Sequence, residues 1–139
     1  MKSVYSALVA AFILTLPLAR AQDAEEVASA EAAALKWLTL TDAGEYARSW
    51  DAAAALFQGS ISKPNWATAL ANARQPLGGV ISRKLKSAKY TRSLPGAPEG
   101  EYVVIQYEAH FEQKDSAIET VTPLLDKDGS WKVSGYFIR

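Results

Sequence analysis

Hydrophobic residues in the first half of the chain recur every three to four positions, which predicts helices. A first helix is predicted from Ala24 to about Leu40, and acidic residues cluster in its first turn, where the helix dipole favours them. The positions near helical spacing on this segment are Val27, Ala28, Glu31, Leu35 and Leu38. This segment is therefore expected to bury one face.

Two more helices are predicted before Gly79. Asp42 and Glu45 resemble a capping box, so a second helix is expected to follow them and to end at Gly59. Its apolar face would carry Tyr46, Trp50, Ala53 and Phe57. A third helix would start after a Ser62 cap with Pro64 in its first turn, and would end in the segment 76–79. Its apolar positions are Trp66, Leu70 and Ala73.

After Gly79 the pattern changes to alternation, which predicts four strands. A basic strand or bulged strand covers 81–94, and a cleaner one covers 103–112, with odd-numbered residues apolar and the even-numbered ones from Gln106 onward polar. A third strand is expected over 117–125, and Asp128-Gly129 predicts a hairpin turn into a strand over 130–138. Trp131, Val133 and Phe137 would share a face of that strand. The predicted fold is α+β, with three N-terminal helices packed on a curved four-stranded antiparallel sheet.

The N-terminus has the pattern of a signal peptide. Lys2 precedes an apolar run from Ala7 to Leu14, and the segment ends in Ala19-Arg20-Ala21, a small-x-small cleavage pattern. We expect residues 1–21 to be removed and 22–139 to form a single periplasmic or secreted domain that is not inserted in a membrane. An uncleaved N-terminal membrane anchor is the alternative.

Composition narrows the function classes. The chain has 139 residues, 15 basic and 15 acidic side chains, one histidine and no cysteine, so disulfides and thiol chemistry are excluded. The segment 52–98 contains seven basic residues and no acid, which indicates either an anion- or partner-binding strip or a solvated strand balanced by acidic neighbours. These residues are Lys63, Arg74, Arg83, Lys84, Lys86, Lys89 and Arg92. Predicted export and few interleaved aromatics disfavour nucleic acid as a partner.

The search for catalytic and metal motifs yields little. A histidine-based metal site needs several converging ligands, and the chain has one histidine. The sequence predicts no metal, no cofactor and no catalytic residue. His110 lies with Glu108 on the polar face of its strand, which favours a solvated position over acid–base catalysis. Asp126-x-Asp128-Gly129 resembles part of a calcium loop, but Phe137 stands where that loop needs an acid, so a turn is the preferred interpretation.

Glu119 is the acid that strand parity places inside the protein. It alternates with Ala117, Val121 and Leu125, and a buried carboxylate needs a cation or hydrogen bonds. Arg83 or Arg74 could supply a structural ion pair, while a ligand or catalytic role is the alternative. The tryptophans 37, 50, 66 and 131 are interpreted as core anchors rather than a ligand box. The residues that could form a pocket or bind an anion are Trp50, Arg74, Arg83, Tyr107 and Glu119.

An ordered set of short motifs resembles a bacterial secreted family. The motifs are Asp42-Ala-Gly-Glu-Tyr46, Arg74-Gln-Pro-Leu-Gly78, Leu94-Pro-Gly-Ala-Pro98 and Asp128-Gly-x-Trp131-x-Val133 followed by the C-terminal Gly-Tyr-Phe-Ile-Arg139. They resemble domain of unknown function 4019 over nearly the whole chain after residue 21. The resemblance implies no known activity. The order of helices and sheet is also similar to the NTF2-like cone, which hosts both enzymes and binding modules.

These observations favour an exported, non-catalytic module that binds a small molecule or an envelope protein. The alternative is a small-molecule enzyme that uses Glu119 or Tyr107 in an NTF2-like pocket. A homodimer through the exposed face of the sheet is a further expectation.

Overall fold

The computed structural model describes residues 18–139. The helices are α1 (Leu18–Asp42), α2 (Tyr46–Asp51), α3 (Ala55–Ser60) and α4 (Lys63–Arg74), and a 3₁₀ turn (Gln75–Leu77) follows α4. The strands are β1 (Val80–Thr91), β2 (Tyr102–Phe111), β3 (Lys114–Leu125) and β4 (Trp131–Ile138), which form one antiparallel sheet in the order β1-β2-β3-β4. The predicted α+β class is confirmed.

The structure describes only the last residues, 18–21, of the predicted signal peptide. Lys2 and the apolar run lie outside the described residues, whereas the predicted cleavage point after Ala21 falls in the first turns of α1. Among residues 18–139, no helix is long and apolar enough to cross a membrane.

Helix α1 covers the sheet with a narrow face of small and aromatic residues. Ala30, Ala34, Trp37 and Leu38 are buried in the main core, while Leu35 is 49% exposed. Including Leu35 in the buried face was therefore wrong. The two alanines lie on the inward face, where their small side chains let the helix approach the sheet closely.

The predicted second helix is divided into α2 and α3. Ala54 adopts an extended conformation between them, and its N–H donates to the Val133 carbonyl of β4 at 2.8 Å. The chain leaves the helical conformation there in order to bond the edge of the sheet. The predicted capping box is also wrong, because Glu45 precedes α2 without a side-chain cap and Asp42 belongs to α1.

Helix α4 begins as the sequence predicts. The Ser62 Oγ accepts a hydrogen bond from the Asn65 N–H at 3.3 Å, and Pro64 lies in the first turn. After the 3₁₀ turn, Gly78 adopts a φ of 71°, which an L side chain disfavours, and the chain turns into β1.

The first two strands follow their predicted patterns. Two register shifts place extra residues at Ile81 and Lys86 of β1, which confirms a bulged strand. In β2 the predicted inward residues are buried: Val103, Ile105, Tyr107, Ala109 and Phe111. Their neighbour Glu108 is exposed on the outer face of the sheet.

Strand β4 differs from simple alternation. Tyr136 is buried, whereas Phe137, which was predicted to share a face with Val133, is 56% exposed. The pairs Val121 with Tyr136 and Pro123 with Val133 show one extra residue in β4. This bulge reverses the alternation after Val133 and turns Phe137 outward.

The turn before β4 is the one that Asp128-Gly129 predicts. Gly129 has a φ of 82°, and its N–H donates to the Asp126 carbonyl at 2.9 Å. The Asp126 N–H donates in turn to the Ser130 carbonyl at 2.8 Å, which closes the hairpin.

Tryptophans hold the core between the helices and the sheet. The Trp37 ring lies 6.4 Å from that of Trp66 and 5.3 Å from that of Tyr136. Trp37 Nε1 donates to the Ser49 carbonyl and Trp66 Nε1 to Ser49 Oγ, each at 2.9 Å. Trp50 donates to the Ile61 carbonyl at 2.8 Å. Together with Trp131, it is partly buried against this core. The prediction that the tryptophans anchor the core is confirmed for the buried Trp37 and Trp66.

Candidate functional site

A network of charged side chains joins the helices to the inner face of the sheet. Glu119 on β3 is fully buried and faces Arg83 on the edge strand β1. Arg83 Nε donates to Glu119 Oε1 at 2.6 Å and its Nη2 to Glu119 Oε2 at 3.1 Å. The carboxylate is thus held by two parallel hydrogen bonds, the geometry in which arginine binds carboxylates most strongly.

Asp42, at the end of α1, receives the remaining bonds of the same guanidinium. Arg83 Nη1 and Nη2 donate to its two oxygens at 2.9 Å each. Arg74, at the end of α4, donates from Nη2 to Asp42 Oδ1 at 2.9 Å. Asp42 therefore joins the end of α1 to both arginines.

Hydroxyl groups complete the network. Arg74 Nη1 donates to Thr41 Oγ1 at 2.9 Å and to the Tyr136 hydroxyl at 3.4 Å, and Tyr136 donates a short hydrogen bond to Glu119. The Arg74 guanidinium also lies 4.9 Å from the centre of the Phe111 ring. Within the described part of the chain, Arg74 Nε has no hydrogen-bond partner.

Burial and charge act in opposite directions on these groups. Burial alone would raise the pKa of Asp42, but hydrogen bonds and charges from Arg83 and Arg74 outweigh it and lower that pKa below its usual value. Burial would lower the pKa of Arg83, and its two carboxylate partners raise it instead. Burial and the Glu119 carboxylate both raise the pKa of Tyr136. At neutral pH Asp42 is thus ionised, both arginines are charged and Tyr136 is a neutral phenol.

Tyr107 lies beside this network without joining it. Tyr107 pairs with Glu119 across the β2–β3 ladder, yet its buried hydroxyl has no hydrogen-bond partner among residues 18–139. The pKa of Tyr107 is raised to about 12, mainly by burial and next by the negative charge of Glu31. The group is a neutral phenol at physiological pH, which limits it to donating or accepting a hydrogen bond.

The network leaves little capacity for an anionic ligand. Glu119 and Asp42 accept four hydrogen bonds from Arg83, whereas Arg74 donates one to Asp42 and the others to hydroxyl groups. A polar cavity of about 250 Å³ reaches the network at Asp42 and Arg74, and Gly44, Gly78 and Gly79 form part of its wall. Of the predicted site residues, the structure brings together Arg74, Arg83 and Glu119, with Tyr107 adjacent. Trp50 instead lies in the helical layer.

The acid-free basic segment does not form one surface. Arg74 and Arg83 belong to the internal network, and Lys63 pairs with Asp51 at 2.9 Å. Arg92 Nε donates to the Tyr90 hydroxyl at 3.1 Å. The remaining members lie exposed on β1: Lys84, Lys86 and Lys89.

The other candidates from the sequence are on the surface. His110 Nε2 lies 3.3 Å from an oxygen of the exposed Asp115, on the outer face of the sheet. Asp126 accepts backbone N–H groups from Ala55 and Lys127, and Asp128 accepts from Ser130. Within residues 18–139, no group of three or more histidine, cysteine or acidic residues is placed to hold a metal ion.

A second cavity lies between α1 and the beginning of β4, with a volume of about 490 Å³. Its lining is mainly apolar, with Trp37 and Leu40 on α1 and Trp131 and Val133 on β4. The remaining lining residues are Ala33, Lys36, Thr39, Arg48, Ala52, Ser130 and Lys132. We call this cavity the α1–β4 groove.

Sequence reasoning missed the α1–β4 groove. One signal was present, because Ala33, Lys36, Trp37 and Leu40 recur at the spacing of a single helix face. The opposite wall could not be predicted, since it depends on which strand lies beside α1. Trp131 is partly buried against the core, and its position beside a cavity required the fold.

The comparisons with known proteins give a family and no activity. Neither the curated proteins nor the solved structures contain a significant match to this chain. The family model described as "Protein of unknown function (DUF4019)" matches residues 33–136, from the middle of α1 to Tyr136 on β4. This span includes the charged network and most of the α1–β4 groove, and it covers well over half of the chain. The chain therefore belongs to the DUF4019 family.

Proposed function

We propose that the protein is a non-catalytic ligand-binding module and that the α1–β4 groove is its binding site. The observation that carries the proposal is the mainly apolar lining of a cavity of about 490 Å³, a size suited to a small molecule. Trp131 on the β4 wall is only partly buried and offers apolar ring surface at little conformational cost, while Trp37 on the α1 wall is 4% exposed and offers little.

The charged network supports a binding module over an enzyme. Catalytic acids and bases need a free position beside a substrate, whereas Glu119 is bonded to Arg83 and Tyr136 and is fully buried. A structural ion pair explains its position without a substrate. The Tyr107 hydroxyl has no hydrogen-bond partner among the residues that the structure describes, and this favours the small-molecule enzyme as a second candidate. Loss of a measured turnover in a folded Glu119→Gln or Tyr107→Phe variant would support that candidate.

A neutral fluorescent probe tests the binding site. We expect N-phenyl-1-naphthylamine, which is apolar and uncharged, to bind the wild-type protein and to gain fluorescence in the groove. Ala33→Leu adds three carbons to the groove wall and should weaken binding about tenfold or more, since filling a pocket removes both space and contact area. Ala32→Leu is the matched control, because Ala32 is the exposed neighbour on the same helix.

The outcomes of this test are distinct. Equal binding by the wild type, Ala33→Leu and Ala32→Leu would place the probe elsewhere and contradict the proposal. Absence of binding by the wild type would contradict it as well. Circular dichroism of each variant checks that the fold is intact.

We further propose that the module acts outside the cytoplasm after removal of residues 1–21. The supporting pattern is the apolar run followed by Ala19-Arg20-Ala21. Mass spectrometry of the exported protein is expected to find Gln22 as the first residue. A mass that includes the apolar run would favour a membrane anchor.

Self-association through the outer face of the sheet is a proposal about partners. Phe137 supports it, because the bulge in β4 leaves this aromatic ring 56% exposed on that face. Sedimentation of the wild type and of Phe137→Lys compares the two masses directly. A monomeric wild type would contradict the proposal.

A further inference from the structure

The α1–β4 groove combines an apolar lining with charge of a single sign. Three basic residues, Lys36, Arg48 and Lys132, are among its lining residues, and no acidic residue of the described range 18–139 is. The bases come from three separate elements, since Lys36 lies on α1, Arg48 on α2 and Lys132 on β4. The fold thus collects positive charge around an apolar cavity.

The three cations differ in how they are balanced. Arg48 pairs with Glu45 at 2.9 Å and Lys132 pairs with Asp128 at 3.1 Å, both at the surface. Exposed pairs of this kind contribute little and exchange partners readily. Lys36 makes no salt bridge within the described part of the chain. Its charge is the one most available to a ligand.

The indole N–H groups of the two tryptophans that line the groove already donate hydrogen bonds. Trp131 Nε1 donates to Glu26 Oε2 at 3.1 Å, and Trp37 Nε1 donates to the Ser49 carbonyl at 2.9 Å. The partly buried Trp131 therefore offers apolar ring surface rather than a hydrogen bond to a ligand, and the buried Trp37 offers little of either. Recognition of a polar group in the groove is left mainly to the basic side chains.

On this basis, and resting on the proposed function, we propose the chemical class of the ligand. The groove takes an amphipathic anion, a molecule with an apolar body that lies against Trp131 and an anionic group that binds near Lys36. The anionic group can be a carboxylate, a sulfonate or a phosphate, since each accepts hydrogen bonds from an ammonium group.

A pair of probes separates the charge from the apolar body. 1-Anilinonaphthalene-8-sulfonate carries the same two aromatic groups as N-phenyl-1-naphthylamine and adds one sulfonate. We expect Lys36→Gln to weaken binding of the sulfonate about threefold and to leave the neutral probe within about 1.5-fold, as an exposed charge contact has this size. Lys86→Gln is the control, because Lys86 is an exposed lysine on β1 outside the groove.

A salt series tests whether the sulfonate probe binds through its charge, and Ala33→Leu tests whether both probes bind in the groove. Raising the salt concentration from about 0.01 M to about 1 M should weaken the sulfonate and leave the neutral probe unchanged, because exposed charges are screened. Ala33→Leu should weaken both probes if both occupy the groove.

Failure of this inference differs from failure of the proposed function. If both probes bind and Ala33→Leu weakens both, but Lys36→Gln changes neither, the ligand class is wrong and the binding site stands. If Lys36→Gln and Lys86→Gln weaken the sulfonate equally, the effect is one of net charge and the inference is overturned. If neither probe binds the wild type, the site and the ligand class are both wrong.

Discussion

At the scale of single residues, Arg83 holds together parts of the protein that are distant in the sequence. It donates to Glu119 on β3 and to Asp42 at the end of α1. The sequence predicted a buried Glu119 in need of a cation, because strand parity is a local property. It did not predict Asp42 as the second partner, since a residue before a helical segment is first interpreted as a cap.

The network predicts a large effect of neutralising Glu119. Glu119→Gln keeps the shape of the side chain but removes the charge that faces Arg83, and we expect a loss of about 3 kcal/mol in the free energy of unfolding. Urea denaturation followed by tryptophan fluorescence measures this loss.

Glu108→Gln is the matched control, because Glu108 is exposed on the neighbouring strand and should change stability by less than about 0.5 kcal/mol. Equal stability of the two variants would show that the buried ion pair contributes nothing net.

At the scale of elements, periodicity predicted the types of structure and the bulges decided which side chains they bury. From Val103 to Phe111 strand β2 alternates, and its inward residues were predicted correctly. In β4 one extra residue reverses the alternation, so Tyr136 and not Phe137 faces Glu119. A bulge depends on pairing with another strand, which a single segment does not reveal. The break at Ala54 has the same origin, because its bond partner is Val133.

The cap of α4 provides a prediction at this scale. Ser62→Ala removes the side-chain acceptor for the Asn65 N–H, and we expect a loss of about 1 kcal/mol in stability. Thermal or urea denaturation measures the change. Ser29→Ala should not destabilise the protein, because Ser29 is exposed within α1, where alanine has the higher helix propensity. Comparable losses in both variants would argue against a specific role of the cap.

At the scale of the whole molecule, two kinds of contact join the helices to the sheet. The aromatic core joins them by apolar packing, and the charged network joins the ends of α1 and α4 to β1 and β3. The fold class followed from the change of periodicity at Gly79. The α1–β4 groove did not, because its walls come from residues almost one hundred positions apart, such as Lys36 and Lys132.

Acid should weaken this second kind of contact. The folded pKa of Asp42 lies below its ordinary value of 3.8, so its contribution to stability is present above about pH 4 and is lost as the pH falls through the folded pKa. We expect the free energy of unfolding to decrease below pH 4. Urea denaturation between pH 2 and pH 7, a window set by this depressed pKa, measures it.

In Asp42→Asn the stability at pH 7 should be lower and the decrease in acid smaller, because the titrating group is gone. Asp115→Asn, at a position with 97% side-chain exposure, should retain the wild-type profile. An acid profile that Asp42→Asn leaves unchanged would assign the effect to other carboxylates.

The two margins of the sheet, formed by β1 and β4, affect how two copies of the protein can pair. At one margin the Ala54 N–H already bonds the Val133 carbonyl of β4, so part of that backbone is occupied. At the other, β1 has bulges at Ile81 and Lys86 and carries three exposed lysines. Two copies placed margin to margin would meet irregular backbone and like charge, which opposes fibril-like growth. The surface that remains for any association between copies is the outer face of the sheet around Phe137.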